Sequence, residues 1–269
     1  MEITLKNIGY RYKNKKLLDH INLKIEDNHI TGITGEYKSL LCEIINMSKI
    51  PTTGNIMMEN TLLDNNNLKW THKEVSMIHQ NYQNQFFTDN VHEEFLFLIS
   101  RLNYEPKDIN KKINQALLLV GLDKSYLKKN ISSLSSGEKK LLQVAISLIH
   151  NPNIIIFDEP FVELDLINQR KLLKLIKMLK EKYQKTVIIS SNDSNMLYEL
   201  TDDIVILKKG HILAADSTPK VYQNITLLEE NDIEIPSLVI FTKLAKAKKV
   251  KLAYHRDIRD LIKDVYKHV

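Results

Sequence analysis

Three stretches of this chain carry residue types that could handle a phosphate. In "GITGEYKSL", Gly32, Lys38 and Ser39 stand at the spacing of G-x-x-x-x-G-K-[ST], a turn whose backbone N–H groups cradle phosphate oxygens. In "NIIIFDEP" an apolar run ends in two carboxylates, Asp158 and Glu159. Metal-assisted hydrolysis needs one carboxylate to help hold a hard cation and another to polarise the attacking water. In "LSSGEKK" the residues Leu134, Ser135, Ser136, Gly137 and Glu138 read as a serine turn opening a helix at Gly137. A helix N-terminus offers free N–H groups and a positive dipole end to an anion. Taken singly, each has an ordinary explanation: a strand ending in a polar turn, or a serine N-cap.

The elements that must position these residues follow from periodicity. "EITLKNI" and "INLKI" alternate as strands, and "HITGIT" is a short strand feeding the loop at Gly35. "KSLLCEIINMSK" has helical spacing, so the order is strand, glycine loop, helix. Residues 86–150 are helical in pattern, whereas "NIIIF", "TVIISS", "DIVIL" and "HILAAD" return to strand character around one long amphipathic helix. That alternation implies an α/β fold whose parallel sheet is covered by helices and interrupted by an all-helical insertion. The expected division is 1–218 for the main domain, with its helical part at about 86–150, and 219–269 for a helical C-terminal extension.

Composition narrows the class. The chain has 269 residues and is 43% hydrophobic, enough for a sizeable core. The single cysteine, Cys42, rules out an internal disulfide and points to a reducing compartment. No signal-type segment opens the sequence, and no apolar run nears the roughly 20 residues that span a bilayer. The expectation is a cytoplasmic chain, soluble on its own. The net charge of +5 reflects the C-terminus, where residues 243–267 hold nine lysines and arginines against three aspartates. No base-reading motif accompanies it, which argues against nucleic acid and leaves a membrane-proximal or partner-facing surface, or a solvated helix face. The scattered histidines show no metal-ligand spacing.

Read in order, "GITGEYKS", "HQNYQNQFF", "LSSGEKK", "IIIFDEP", "VELD" and "SSND" resemble the ATP-binding-cassette (ABC) ATPase family. The resemblance implies a P-loop NTPase fold: a mixed-sheet core, a helical signature subdomain and a short helical tail. It implies ATP and Mg²⁺ as ligands. Lys38, Ser39, Leu40, Tyr37, Gly32, Gly35 and Asp158 would line the nucleotide site, with Ser39, Gln80 and Asp158 around Mg²⁺. Glu159 would be the catalytic carboxylate and Gln80 the metal-sensing glutamine. Tyr12 would stack on adenine, with Tyr10 as the alternative. The signature residues 134–138 and Asp165 would face ATP held by a partner subunit. "NYQNQFFTDNVHEEFLF" and "IEIPSLVIFTKLAKAKK" are similar to the ATPase subunits of energy-coupling-factor importers. This implies a peripheral subunit on the cytoplasmic membrane face. It would be paired with a second ATPase and docked on a transmembrane coupling subunit beside a substrate-binding membrane protein for a vitamin or metal ion.

Two positions break the family pattern sharply, beside the lesser changes at Leu40, where a second hydroxyl residue is usual, and in the signature, which reads "LSSGE". Tyr37 stands where glycine precedes the lysine, with Glu36 beside it; the ring either crowds the phosphate cradle or swings outward. Asn192 stands where the family has its switch histidine and cannot relay a proton; His79 is better read as packing than as its substitute. Both changes fall in the chain's own half-site, while the signature is nearly intact. The expectation is the degenerate half of a heterodimeric ATPase pair. The alternatives are a nucleotide-dependent subunit that never hydrolyses ATP, or the ATPase of another transporter class.

Overall fold

The computed structural model describes residues 1–80, 86–103 and 107–267. The chain opens with β1 (Ile3–Tyr12) and β2 (Lys15–Ile25), followed by β3 (Ile30–Gly35), the phosphate loop and α1 (Lys38–Ile45). A segment left without elements in the sequence reading forms β4 (Thr53–Met58), β5 (Thr61–Leu62), α2 (Leu68–Glu74) and β6 (Val75–Ile78). The helical region holds α3 (Val91–Arg101), α4 (Ile109–Leu119) and α5 (Ser136–Leu148). Then come β7 (Ile154–Asp158), α6 (Leu166–Glu181), β8 (Thr186–Ser190), α7 (Ser194–Leu200), β9 (Asp203–Lys208) and β10 (His211–Ser217). The chain ends with α8 (Thr218–Gln223), α9 (Ile225–Glu230), α10 (Ser237–Ala247) and α11 (Ile258–Tyr266).

The strands form two sheets. One is antiparallel, in the order β2-β1-β4-β5; the other runs β10-β9-β3-β8-β7-β6. In the second sheet β9, β3, β8, β7 and β6 are parallel and only β10 pairs antiparallel. Side chains alternate across a strand, and here the alternation divides the interior in two. Ile155, Phe157, Val187, Ile189, Ile204 and Ile206 face a core shared with the helical region and α6. Ile154, Ile156, Ile188, Val205, Leu207 and Ile33 face a second core closed by α1 and the antiparallel sheet. Burial on both faces explains why β7 and β8 read as continuous apolar runs. It also places the carboxyl ends of β3, β7 and β8 side by side.

Candidate nucleotide-binding site

The phosphate loop starts at Gly35, whose φ is +97°. A Cβ there would stand 2.0 Å from the Leu207 carbonyl oxygen, so only glycine lets β3 lie this close to β9. The next amide, Glu36 N–H, donates to the same oxygen at 3.2 Å. Tyr37 then adopts φ 63°, ψ 19° immediately before α1. This is the left-handed region, which costs a residue with a Cβ about 1–2 kcal/mol. The loop thus keeps the backbone shape that glycine would take, and the tyrosine bears the strain. Its half-buried ring packs against the second core, as do Tyr10 and Leu40.

Lys38 and Ser39 occupy the first turn of α1 and meet the ends of β7 and β8. Lys38 Nζ lies 3.2 Å from Glu159 Oε1, and both side chains are nearly enclosed. Ser39 Oγ donates to Asp158 Oδ1 at 2.8 Å. Two residues that the sequence reading left unassigned complete the arrangement: Ser190 Oγ donates to Asp158, and Ser191 Oγ donates to Glu159 Oε2 at 3.2 Å. Their contact comes from sheet register, in which Asp158 pairs with Ser190. Glu159 itself has φ +45°, an unusual backbone for a residue that is neither glycine nor asparagine. Its N–H is held by the Ser190 carbonyl at 2.9 Å. The hydroxyl of Ser39 and the carboxylate of Asp158 are hard oxygen donors of the kind Mg²⁺ prefers, and the ammonium of Lys38 beside them suits a phosphate.

The remaining expected residues fall as follows. Tyr12 ends β1 and is 60% exposed, with Lys13 Nζ over its ring at 5.7 Å from the centroid. Tyr10 is the packing residue of the two. Gly32 is buried within β3. Gln80 follows β6 and is exposed, while residues 81–85 of the stretch after it lie outside the described residues. His79 lines a cavity of about 750 Å³ between β6 and the helical region, and burial lowers its pKa. Asn192 is exposed beyond β8, and Asp193 caps α7 by accepting from Met196 N–H at 3.0 Å.

The signature residues form a second, outward-facing patch. The helix starts one residue earlier than expected, at Ser136, because Ser135 and Glu138 form a capping box. Glu138 N–H donates to Ser135 Oγ at 3.2 Å, and Ser135 N–H donates to Glu138 Oε2 at 2.8 Å. The other Glu138 oxygen accepts from Tyr126 Oη at 2.5 Å, which holds the carboxyl below its ordinary pKa and pushes the phenol up to about 12. Leu134 is buried, and Ser135 and Ser136 are exposed. A Cβ on Gly137 would stand 2.7 Å from Asn168 Nδ2. That amide in turn donates to Asp165 Oδ2 at 2.9 Å. Signature and Asp165 are therefore parts of one surface.

A strand-loop-helix phosphate cradle, a carboxylate pair on the neighbouring strand and a separate capped serine turn define an ATP-binding-cassette ATPase domain. The ABC transporter family model matches residues 18–162, and the chain belongs to that family. Among its curated relatives is an energy-coupling factor transporter ATP-binding protein, EcfA2 of Acetivibrio thermocellus. It is 28% identical over 92% of this chain and 91% of its own length. A putative ABC transporter ATP-binding protein of Pyrococcus horikoshii is 30% identical over 88% of this chain and 87% of its own. In fold, the chain resembles cbiO1 of Clostridium perfringens, part of the transporter complex cbiONQ. The TM-score is 0.74 at 23% identity, covering 90% of this chain and 98% of that one. A dimeric cassette, MJ0796, solved in a post-hydrolysis state with ADP and Pi, gives 0.72 at 25% identity over 80% and 98%.

Proposed function

We propose that this chain is the ATP-binding subunit of an importer of the energy-coupling-factor type, converting ATP binding and hydrolysis into uptake of a vitamin or metal ion. The observation that carries the reading is the pairing of Lys38 with Glu159 and of Ser39 with Asp158 at the carboxyl ends of β3 and β7. The names of the relatives support the transporter class. When bound, Mg-ATP supplies the phosphoryl group and a Lewis acid. Lys38 would bind phosphate oxygens. Ser39, Asp158 and Gln80 would hold the metal. Glu159, kept in place by Ser191, would polarise water once Lys38 has turned from it to the phosphates.

The same reading assigns residues 1–218 to the cassette and 219–269 to a C-terminal extension. It places the chain at the cytoplasmic membrane face, bound to a transmembrane subunit and a substrate-binding membrane protein; no described helix is itself long and apolar enough to cross a membrane. A second ATPase subunit would cover the exposed signature patch. Val162, Leu166 and Ile167 beside Asp165 are exposed apolar residues suited to that pairing. We infer slow turnover at the chain's own site, from the strained Tyr37 and from Asn192, which cannot relay a proton. Asn192 also favours a second reading, a subunit that binds nucleotide without hydrolysing it.

Thermal unfolding of the chain across a Mg-ATP titration, beside Tyr37→Gly, tests this. A ligand at a hundred times its Kd adds about 2.7 kcal/mol to stability. A shift in both proteins supports nucleotide binding with a tolerated tyrosine. A shift only in Tyr37→Gly marks the site as degenerate, and no shift in either overturns the reading. In the assembled complex, loss of ATPase activity in Glu159→Gln separates hydrolysis at this site from the second reading.

A further inference from the structure

Lys140 is a charged residue in the wrong place for its type. It lies in the second turn of α5, two residues after the signature ends at Glu138, and it is 1% exposed. Lysine is almost never fully buried without a partner. Its Nζ leaves α5 and reaches the end of β6, donating to the His79 carbonyl at 2.8 Å and approaching the Gln80 carbonyl at 3.5 Å. The carboxylates of Asp158, Glu163 and Glu159 all act on it electrostatically, and burial pushes its pKa down to about 8. One ammonium thus touches the backbone beneath the expected metal-sensing glutamine, sits on the helix that presents the signature, and lies in the field of the Asp158 and Glu159 carboxylates.

We propose that Lys140 is a positioning residue that fixes the backbone at His79 and Gln80 relative to the signature helix, so that the Gln80 side chain is delivered to the metal side of the nucleotide site. The assignment rests on the nucleotide reading above. The turn after β6 has left the sheet, and its two carbonyls need donors that β7 no longer supplies. A charged donor makes the stronger bond, and a buried one gives it up only at a large desolvation penalty. An apolar side chain of equal length would fill the same space and leave both carbonyls without this donor. Lys140→Met therefore removes the tether while retaining the packing of α5 against its neighbours. Lys140→Arg retains a cation and its donors.

The test uses the full chain in two measurements. Without nucleotide, hydrogen–deuterium exchange is compared in peptides ending at Gln80 and in peptides from α5. Exchange at His79 and Gln80 is expected to rise at least fivefold in Lys140→Met, with α5 unchanged and Lys140→Arg close to the parent chain. With nucleotide, the affinity for a fluorescent ATP analogue is measured in Mg²⁺ and again in EDTA. The gain in affinity that Mg²⁺ confers is expected to fall about tenfold in Lys140→Met, while the EDTA value stays within twofold. Unchanged exchange at His79 and Gln80, or an equal loss of affinity with and without Mg²⁺, overturns the positioning role. A parent chain that binds no analogue under either condition overturns the nucleotide reading itself, which separates the two failures.

Discussion

The ion pair between Lys38 and Glu159 makes a quantitative prediction about nucleotide affinity. At 3.2 Å and an effective dielectric of about 20, the gross attraction is about 5 kcal/mol. Desolvation of both ends offsets much of it. A phosphate can recruit Lys38 only by drawing it from Glu159, so the pair opposes binding. Glu159→Gln weakens the pair yet keeps an acceptor near Lys38. The nucleotide-free chain should therefore lose about 1–3 kcal/mol, less than the ~3–5 kcal/mol seen when a fully buried pair is broken. At roughly 2–4 °C per kcal/mol, Tm falls by several degrees. Affinity for a non-hydrolysable ATP analogue, measured by titration calorimetry so that turnover does not enter, should rise about tenfold, equivalent to ~1.4 kcal/mol. Lys38→Met should abolish the gain, and the double variant should show coupling above ~1 kcal/mol. The reasoning is refuted if Glu159→Gln lowers Tm but leaves affinity unchanged or weaker.

Other outcomes follow from single residues. Gly35→Ala would drive a Cβ into the Leu207 carbonyl, a backbone atom that cannot step aside, and should cost more than ~3 kcal/mol by denaturant unfolding. Tyr12→Ala, at a residue that is 60% exposed, should leave Tm nearly unchanged while weakening ATP binding about tenfold. Base–aromatic stacking is worth ~1–3 kcal/mol. His150 is buried, and neither ring nitrogen has a hydrogen-bond partner among the described residues; burial lowers its pKa to about 4. Between pH ~6.5 and 4 the unfolded chain binds a proton that the folded chain refuses, so stability is lost as pH falls through that window, by up to about 3 kcal/mol. His150→Leu should flatten that slope in pH-dependent unfolding, and an unchanged slope would refute the assignment.

The sheet and its site were legible to different depths. β7 and β8 were readable because burial on both faces leaves nearly continuous apolar runs, and β3, which alternates isoleucine with threonine and glycine, because it feeds the phosphate loop. β5 and β6 are only two and four residues long, too short for alternation to register; β5 exists through its pairing with β4 just before it, and β6 through its pairing with the distant β7. Asp158, Glu159 and Lys38 could be named from motif spacing. Ser190 and Ser191 could not, because their role depends on the register between β7 and β8. Tyr37 looked like a broken motif. What spacing cannot convey is that the backbone retains the left-handed turn and that the ring finds apolar neighbours. Lys140 was hidden for a related reason: in a chain this rich in lysine, one more beside the signature carries no mark of burial.

The division of the interior into two cores bears on how the phosphate loop is supported. Strand β3 sends Ile30 into one core and Ile33 into the other, and the loop hangs from its end. Loosening either core therefore slackens the same suspension point. Damage far from the nucleotide, beneath the helical region or beneath the antiparallel sheet, would reach the loop through one strand. In such a molecule the phosphate cradle acts as a gauge of the integrity of the whole cassette.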